Sequence, residues 1–193
     1  MATVVLRPTS VISSTGWDTS TDVIANSFDE DNATYTRQNN TTCNAHYILG
    51  DLDSGLSGAT INSYTISAYA KGGRAGAFSA DLHLIDDSDQ NVASPETESW
   101  TGTLSTQTTT ADTTKSDGSS ALTYAYINGC TLYFDPNNQG AFLYEIYVTV
   151  DYTAAASVAM GKVNGVTDGN IDKVNNQRNA VELAKINGIE DTD

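Results

Sequence analysis

The residues AFLYEIYVTVDY, Ala141 to Tyr152, alternate with a period of two. Phe142, Tyr144, Ile146, Val148, Val150 and Tyr152 fall on one side; Leu143, Glu145, Tyr147, Thr149 and Asp151 fall on the other. Sustained alternation of β-branched and aromatic residues predicts a long strand that is buried on one side and largely solvated on the other. The side from Phe142 to Tyr152 is expected to face a core. One wet side belongs to an antiparallel sheet, since parallel sheets are covered by helices on both faces.

Working outward from this strand, the same pattern recurs. Tyr64, Ile66, Ala68 and Ala70 oppose Ser63, Thr65, Ser67 and Tyr69, and Ala80, Leu82 and Leu84 oppose Asp81, His83 and Ile85. Shorter candidates are Val4–Leu6, stopped by Arg7-Pro8 and suited to a sheet edge, His46–Leu49 and Trp100–Thr106. Asn128-Gly129 lies between two β-rich runs and predicts a two-residue type I′ hairpin, because both residues tolerate positive φ. That hairpin would pair Ile127 with Cys130, Ala125 with Leu132 and Thr123 with Phe134. About eight to ten short strands with polar turns predict an antiparallel β-sandwich of jelly-roll type over residues 1–153.

Composition narrows the function classes. The formal net charge is −15, with 24 acidic side chains against 9 Lys and Arg. Phosphate backbones and anionic membranes reward clustered cations, so neither is an expected partner. Met1–Pro8 lacks the basic start and apolar core of a secretory signal, and no run approaches the ~20 apolar residues of a membrane span. Synthesis in a cytoplasm is therefore expected, with Cys43 and Cys130 reduced.

After Thr153 the character changes. Residues 154–160 are a small-residue linker, and 161–193 carry an approximate repeat, Lys162-Val-Asn-Gly-Val166, Lys173-Val-Asn-Asn-Gln177 and Lys185-Ile-Asn-Gly188. Asn179–Ile186 favours a short helix stopped by Gly188. Its aliphatic residues, among them Val163, Val166, Ile171, Val174, Leu183, Ile186 and Ile189, bury little alone and are expected to lie on a partner surface.

Patterns that carry chemistry are weak. Asp87-x-Asp89-x-Asn91 with Glu98 is the nearest approach to a calcium loop, but Val92 replaces the turning glycine and no helices flank it. Calcium in this acidic loop is the one cofactor the pattern invites, and none is expected. Asp29-Glu30-Asp31-Asn32 fits an Asx turn leading into Tyr35 better than a cation site. His83 falls on the solvent side of its strand. No serine occupies a nucleophile elbow and no catalytic set is recognisable, so the chain is expected not to be an enzyme. The predicted hairpin would gather Tyr124, Tyr126 and Tyr133 into an aromatic platform for protein or sugar contacts. The same pattern also fits the reverse, with the tyrosine side as core. Trp17 and Trp100 read as anchors.

The opening LRPTSVISSTGW, the segment FDEDNATYT (28–36), the strand INSYTISAYAKGG (61–73), SWTGTLSTQT (99–108) and the closing YEIYVTVDY together resemble jelly-roll structural proteins of tailed bacteriophages. KVNGV-type tails resemble short repeats at the C-termini of such proteins. The resemblance implies a non-enzymatic virion component, a capsid decoration or a head or tail appendage, with other virion proteins and copies of itself as partners. The alternative from the tyrosine side is a carbohydrate-binding module or host-surface adhesin, and a third is a jelly-roll coat protein.

Overall fold

The structure is a computed structural model that describes residues 1–17, 24–31, 33–38, 43–73, 76–86, 95–137, 140–155, 162–163 and 166–167. The closing strand runs Ala141–Thr153 and is the central rib of one sheet. In chain order the strands are β1 (Ala2–Leu6), β2 (Pro8–Thr15), β3 (Thr36–Arg37), β4 (Asn44–Leu49), β5 (Thr60–Gly72), β6 (Phe78–Asp86), β7 (Glu96–Trp100), β8 (Ser105–Thr108), β9 (Cys130–Pro136) and β10 (Ala141–Thr153). They form two five-stranded antiparallel sheets. The first has the order β1-β10-β5-β8 with β3 also on β10, and the second β2-β4-β9-β6-β7. This is the antiparallel β-sandwich of jelly-roll type. The chain crosses between the sheets at Arg7-Pro8, where the Arg7 carbonyl accepts the Gly50 N–H at 2.8 Å.

The two inner faces fill the core. Ile66, Ala68, Leu143, Ile146, Val148 and Val150 come from the first sheet, and Ala45, Tyr47, Leu82, Leu84, Leu132 and Phe134 from the second. Fully burying each large apolar side chain contributes about 1.5–3 kcal/mol. Trp17 and Trp100 are buried anchors, as expected; Trp17 Nε1 donates to the Asn44 carbonyl at 2.9 Å. Tyr47 is also fully buried, and its hydroxyl meets Ser27 Oγ at 2.9 Å, so the core holds no stranded phenol there. Cys43 and Cys130 are buried thiols.

Three expectations need correction. First, β10 does not keep one alternation: a bulge at Tyr144 separates Leu143↔Ala70 from Glu145↔Tyr69. An extra residue shifts the phase of everything before it. Leu143 therefore joins Ile146, Val148 and Val150 in the core, while Phe142 is paired with Lys71 on the outer side. Second, Asn128-Gly129 is not a hairpin turn. Tyr124–Gly129 forms a short helix, α1, N-capped by Thr123, whose Oγ1 accepts the Tyr126 N–H. Cys130 then opens β9, so none of the three predicted cross-strand pairs forms. Third, the Trp100–Thr106 run is split: Trp100 ends β7 in one sheet and Ser105 begins β8 in the other.

The chain divides into two compact units, Met1–Ala155 and Ala156–Asp193. In the second unit Lys162–Val163 (β11) pairs antiparallel with Val166–Thr167 (β12), Val163 opposite Val166. Ile171, Val174, Leu183, Ile186 and Ile189 lie outside the described residues.

Candidate functional site

Downstream of the Tyr144 bulge, β10 turns Glu145 and Tyr147 to the outer face of the first sheet. Register then places Glu145, Tyr69 and Thr106 side by side across β10, β5 and β8. With Val5 from β1, Arg7 at the sheet crossing and Glu30 from a loop, they line a cleft of about 370 Å³. That falls in the range of small-ligand pockets, roughly 300–1,000 Å³.

Electrostatics hold one wall in place. Arg7 Nη1 donates to Glu145 Oε2 and its Nε lies 3.2 Å from Glu30 Oε1. The guanidinium also lies over the Tyr147 ring, 5.4 Å from its centre. Glu145 Oε1 accepts the Glu30 backbone N–H at 2.8 Å. Glu145 is only 4% exposed, and burial raises its carboxyl pKa while Arg7 and the Glu30 N–H pull it back. Glu30 sits at φ 64°, a left-handed conformation uncommon for a side chain of its kind. The Asp29 and Asp31 carboxylates hold this loop as Asx turns, accepting the Asp31 and Ala33 N–H groups at 2.9 Å each. The acidic run thus serves as turn structure, and it carries Glu30 to the cleft. Strain of this kind persists where the surroundings enforce it, commonly at ligand sites.

Beside the cleft the outer face continues as an aromatic cluster. Tyr35 packs against Phe142 and Tyr144, each at 5.2 Å, and Tyr69 against Tyr144 at 5.8 Å. The Lys71 ammonium lies over Phe142 and Tyr144.

The three tyrosines expected to share a platform do not meet. Tyr124 and Tyr126 ride on α1, where the Tyr124 hydroxyl donates to the Leu52 carbonyl and the Tyr126 hydroxyl accepts the Ser116 N–H. Tyr133 lies on the outer face of the second sheet, stacked on His83 at 4.7 Å and against a tilted His46 ring at 3.8 Å. His83 does point away from Leu82 and Leu84, yet it is not freely solvated: burial drives its pKa down to about 4, against an opposing pull from Asp81. Burial, with Asp81 beside it, pushes the Asp135 carboxyl up to about 6. Ser13 Oγ meets His46 Nδ1 at 3.0 Å, and Asp135 Oδ1 lies 3.5 Å from His46 Nε2.

A carboxyl whose folded pKa exceeds its unfolded value is penalised above the folded value and relieved below the unfolded one. Asp135→Asn is therefore expected to stabilise the domain by about 1–2 kcal/mol at pH 8, discounted for a side chain one-third exposed, with the gain vanishing toward pH 4. Urea midpoints at constant slope measure it.

Asp87, Asp89 and Asn91 lie outside the described residues, and Glu98 belongs to β7 opposite Ala80. Among the described residues no three His, Cys, Asp or Glu side chains converge as a metal site.

Scans against protein-family models and characterised sequences returned no match. Among solved structures, the C-terminal CBM6 of LamC, a marine laminarinase from Zobellia galactanivorans, is similar at TM-score 0.43 and 10% identity, over 77% of this chain and 98% of that one. Truncated AlyQ with CBM32 and alginate lyase domains gives 0.44 and 12%, over 82% of this chain and 35% of that one. A Podospora anserina GH26-CBM35 β-(1,4)-mannanase gives 0.41 and 14%, over 84% and 30%. The chain thus spans about a third of the length of the last two. At this level of superposition neither a site nor a ligand carries across.

Proposed function

We propose that residues 1–155 form a non-catalytic saccharide-binding domain, with the ligand in the cleft over Glu145, Tyr69 and Thr106. The observation that supports this reading is the composition of that cleft. A sugar ring presents hydroxyls that donate and accept, alongside C–H patches. The cleft offers carboxylate acceptors (Glu30, Glu145), a guanidinium donor (Arg7), hydroxyls of both kinds (Tyr69, Tyr147, Thr106) and aromatic surface. Arg7 offsets one of the two carboxylates and leaves the lining with one net negative charge, which disfavours anionic saccharides and suits a neutral, polyhydroxylated ligand. Both carboxylates are tied to one guanidinium, unlike the two that must act from opposite sides of a scissile glycosidic bond.

A glycan array probed with the full chain tests this. Tyr69→Ala is expected to weaken binding at least about tenfold, worth ~1.4 kcal/mol, while Tyr133→Phe on the other sheet leaves it unchanged. An array with no saccharide bound, or binding indifferent to Tyr69, would sink the proposal.

A second reading draws on the division at Ala155: a virion appendage of a tailed bacteriophage whose 156–193 unit attaches it to a repeating particle. Many weak contacts suffice there, because linked copies engage at high effective concentration. Truncation after Ala155 is then expected to abolish particle binding while the domain stays folded, read by co-sedimentation with particles; undiminished binding removes this reading.

A further inference from the structure

Sheet edges present rows of unpaired N–H and C=O groups, and proteins blunt them with charge, bulges or brevity. Three edges of this sandwich are blunted in those ways. β2 is broken by two register shifts, between Pro8 and Ser10 and between Val11 and Ser13. β7 carries Glu96 and Glu98, and β8 has only four residues. β1 is as short as β7 but carries neither a charge nor a bulge. Its five residues, ATVVL, are uncharged and pair with β10 in unbroken register from Ala2↔Tyr152 to Leu6↔Val148. Among the described residues it pairs with no other strand. Val5 on its outer face is 48% exposed, and the last core contact of the strand is Leu6.

We propose that β1 is the seat of a two-fold interface with a second copy of this chain, two β1 strands pairing antiparallel to join two five-stranded sheets into one. Charge argues for the occupant. A copy carrying −15 is repelled by most of this surface, but from Met1 to Thr15 the only charged side chain is Arg7, which is engaged by Glu30 and Glu145. An edge strand is also self-complementary under a two-fold axis, since each donor on one copy meets an acceptor on the other. That axis stands perpendicular to the sheet, so both clefts open on the same side. Val5 lines the cleft as well as the edge, which places the two clefts as neighbours.

Sedimentation of the full chain between about 1 and 100 µM tests the interface, a range that brackets micromolar affinity. The expected result is a shift from 20.4 kDa toward twice that mass as concentration rises. Thr3→Lys places paired ammonium groups at the interface while adding an opposite charge across from Asp151, and is expected to hold the protein at one chain; Thr103→Lys, on an exposed loop, is expected to dimerise like the parent. In the unmodified protein, hydrogen exchange of the outward-pointing amides of Ala2–Leu6 is expected to slow as concentration rises. A single-chain mass at every concentration overturns the proposal, as does a dimer that Thr3→Lys leaves intact. Exchange protection of β1 that is independent of concentration also overturns it, and indicates that a segment of the same chain covers the edge.

Discussion

Phe134→Ala is expected to cost about 3–5 kcal/mol, a large part of the ~5–15 kcal/mol that keeps a domain of this size folded. Phe134 is fully buried in the middle of the second sheet, between Ala45 on β4 and Leu82 on β6. Its ring meets Trp17 at 6.0 Å, Trp100 at 6.1 Å and Phe78 at 6.4 Å. Ala45, at its side, is too small to expand into the space, and Trp100 is held flat against Phe78 at 4.8 Å. The void therefore cannot collapse cheaply. Phe134→Leu retains most of the volume and is expected to lose less than half as much. Both tryptophans of the chain touch this ring, so intrinsic fluorescence reports directly on the site. The check is a denaturant series with unchanged slope; a loss under about 1 kcal/mol would mean that the core repacks around the truncated side chain.

The layers were legible because period-two patterning survives wherever one face is buried. Tyr64, Ile66, Ala68 and Ala70 are all core, and so are Ala80, Leu82 and Leu84. The bulge at Tyr144 was not legible, since either phase of AFLYE offers apolar residues to the core. Local turn chemistry also misled at Asn128-Gly129. There the Thr123 cap, and partners for Tyr124, Tyr126 and Asn128 contributed by Leu52 and Ser116, favour one turn of helix.

The cleft was hidden for a different reason. Glu145 and Tyr147 were correctly placed on the outer side, but solvation was the natural expectation for that side. Arg7 and Glu145 are 138 residues apart, and only sheet order brings them together. The one local signal was the acidic 28–36 segment, and its own hydrogen bonds explain its acids as turn formers.

That remote pair carries the second large expectation. Arg7→Ala leaves the Glu145 carboxylate buried, still accepting the Glu30 N–H but without its cation. Breaking one side of a buried ion pair typically costs ~3–5 kcal/mol; Arg7 is about one-third exposed and the cleft admits water, so about 2–3 kcal/mol is expected here. The loss should depend on pH with a definite sign. Burial already lifts the Glu145 carboxyl above its ordinary 4.5, and without Arg7 it rises further. The charged form is penalised above that folded value, and the penalty disappears once both folded and unfolded chains are protonated. The deficit of Arg7→Ala relative to the parent is therefore largest at pH 7 and above, and shrinks as the pH falls toward 4. Adding Glu145→Gln removes the charge and is expected to restore most of the loss at pH 7. If the deficit instead stays constant from pH 8 to 4 and the second substitution restores nothing, Arg7 contributes by packing on Tyr147 and not through its charge.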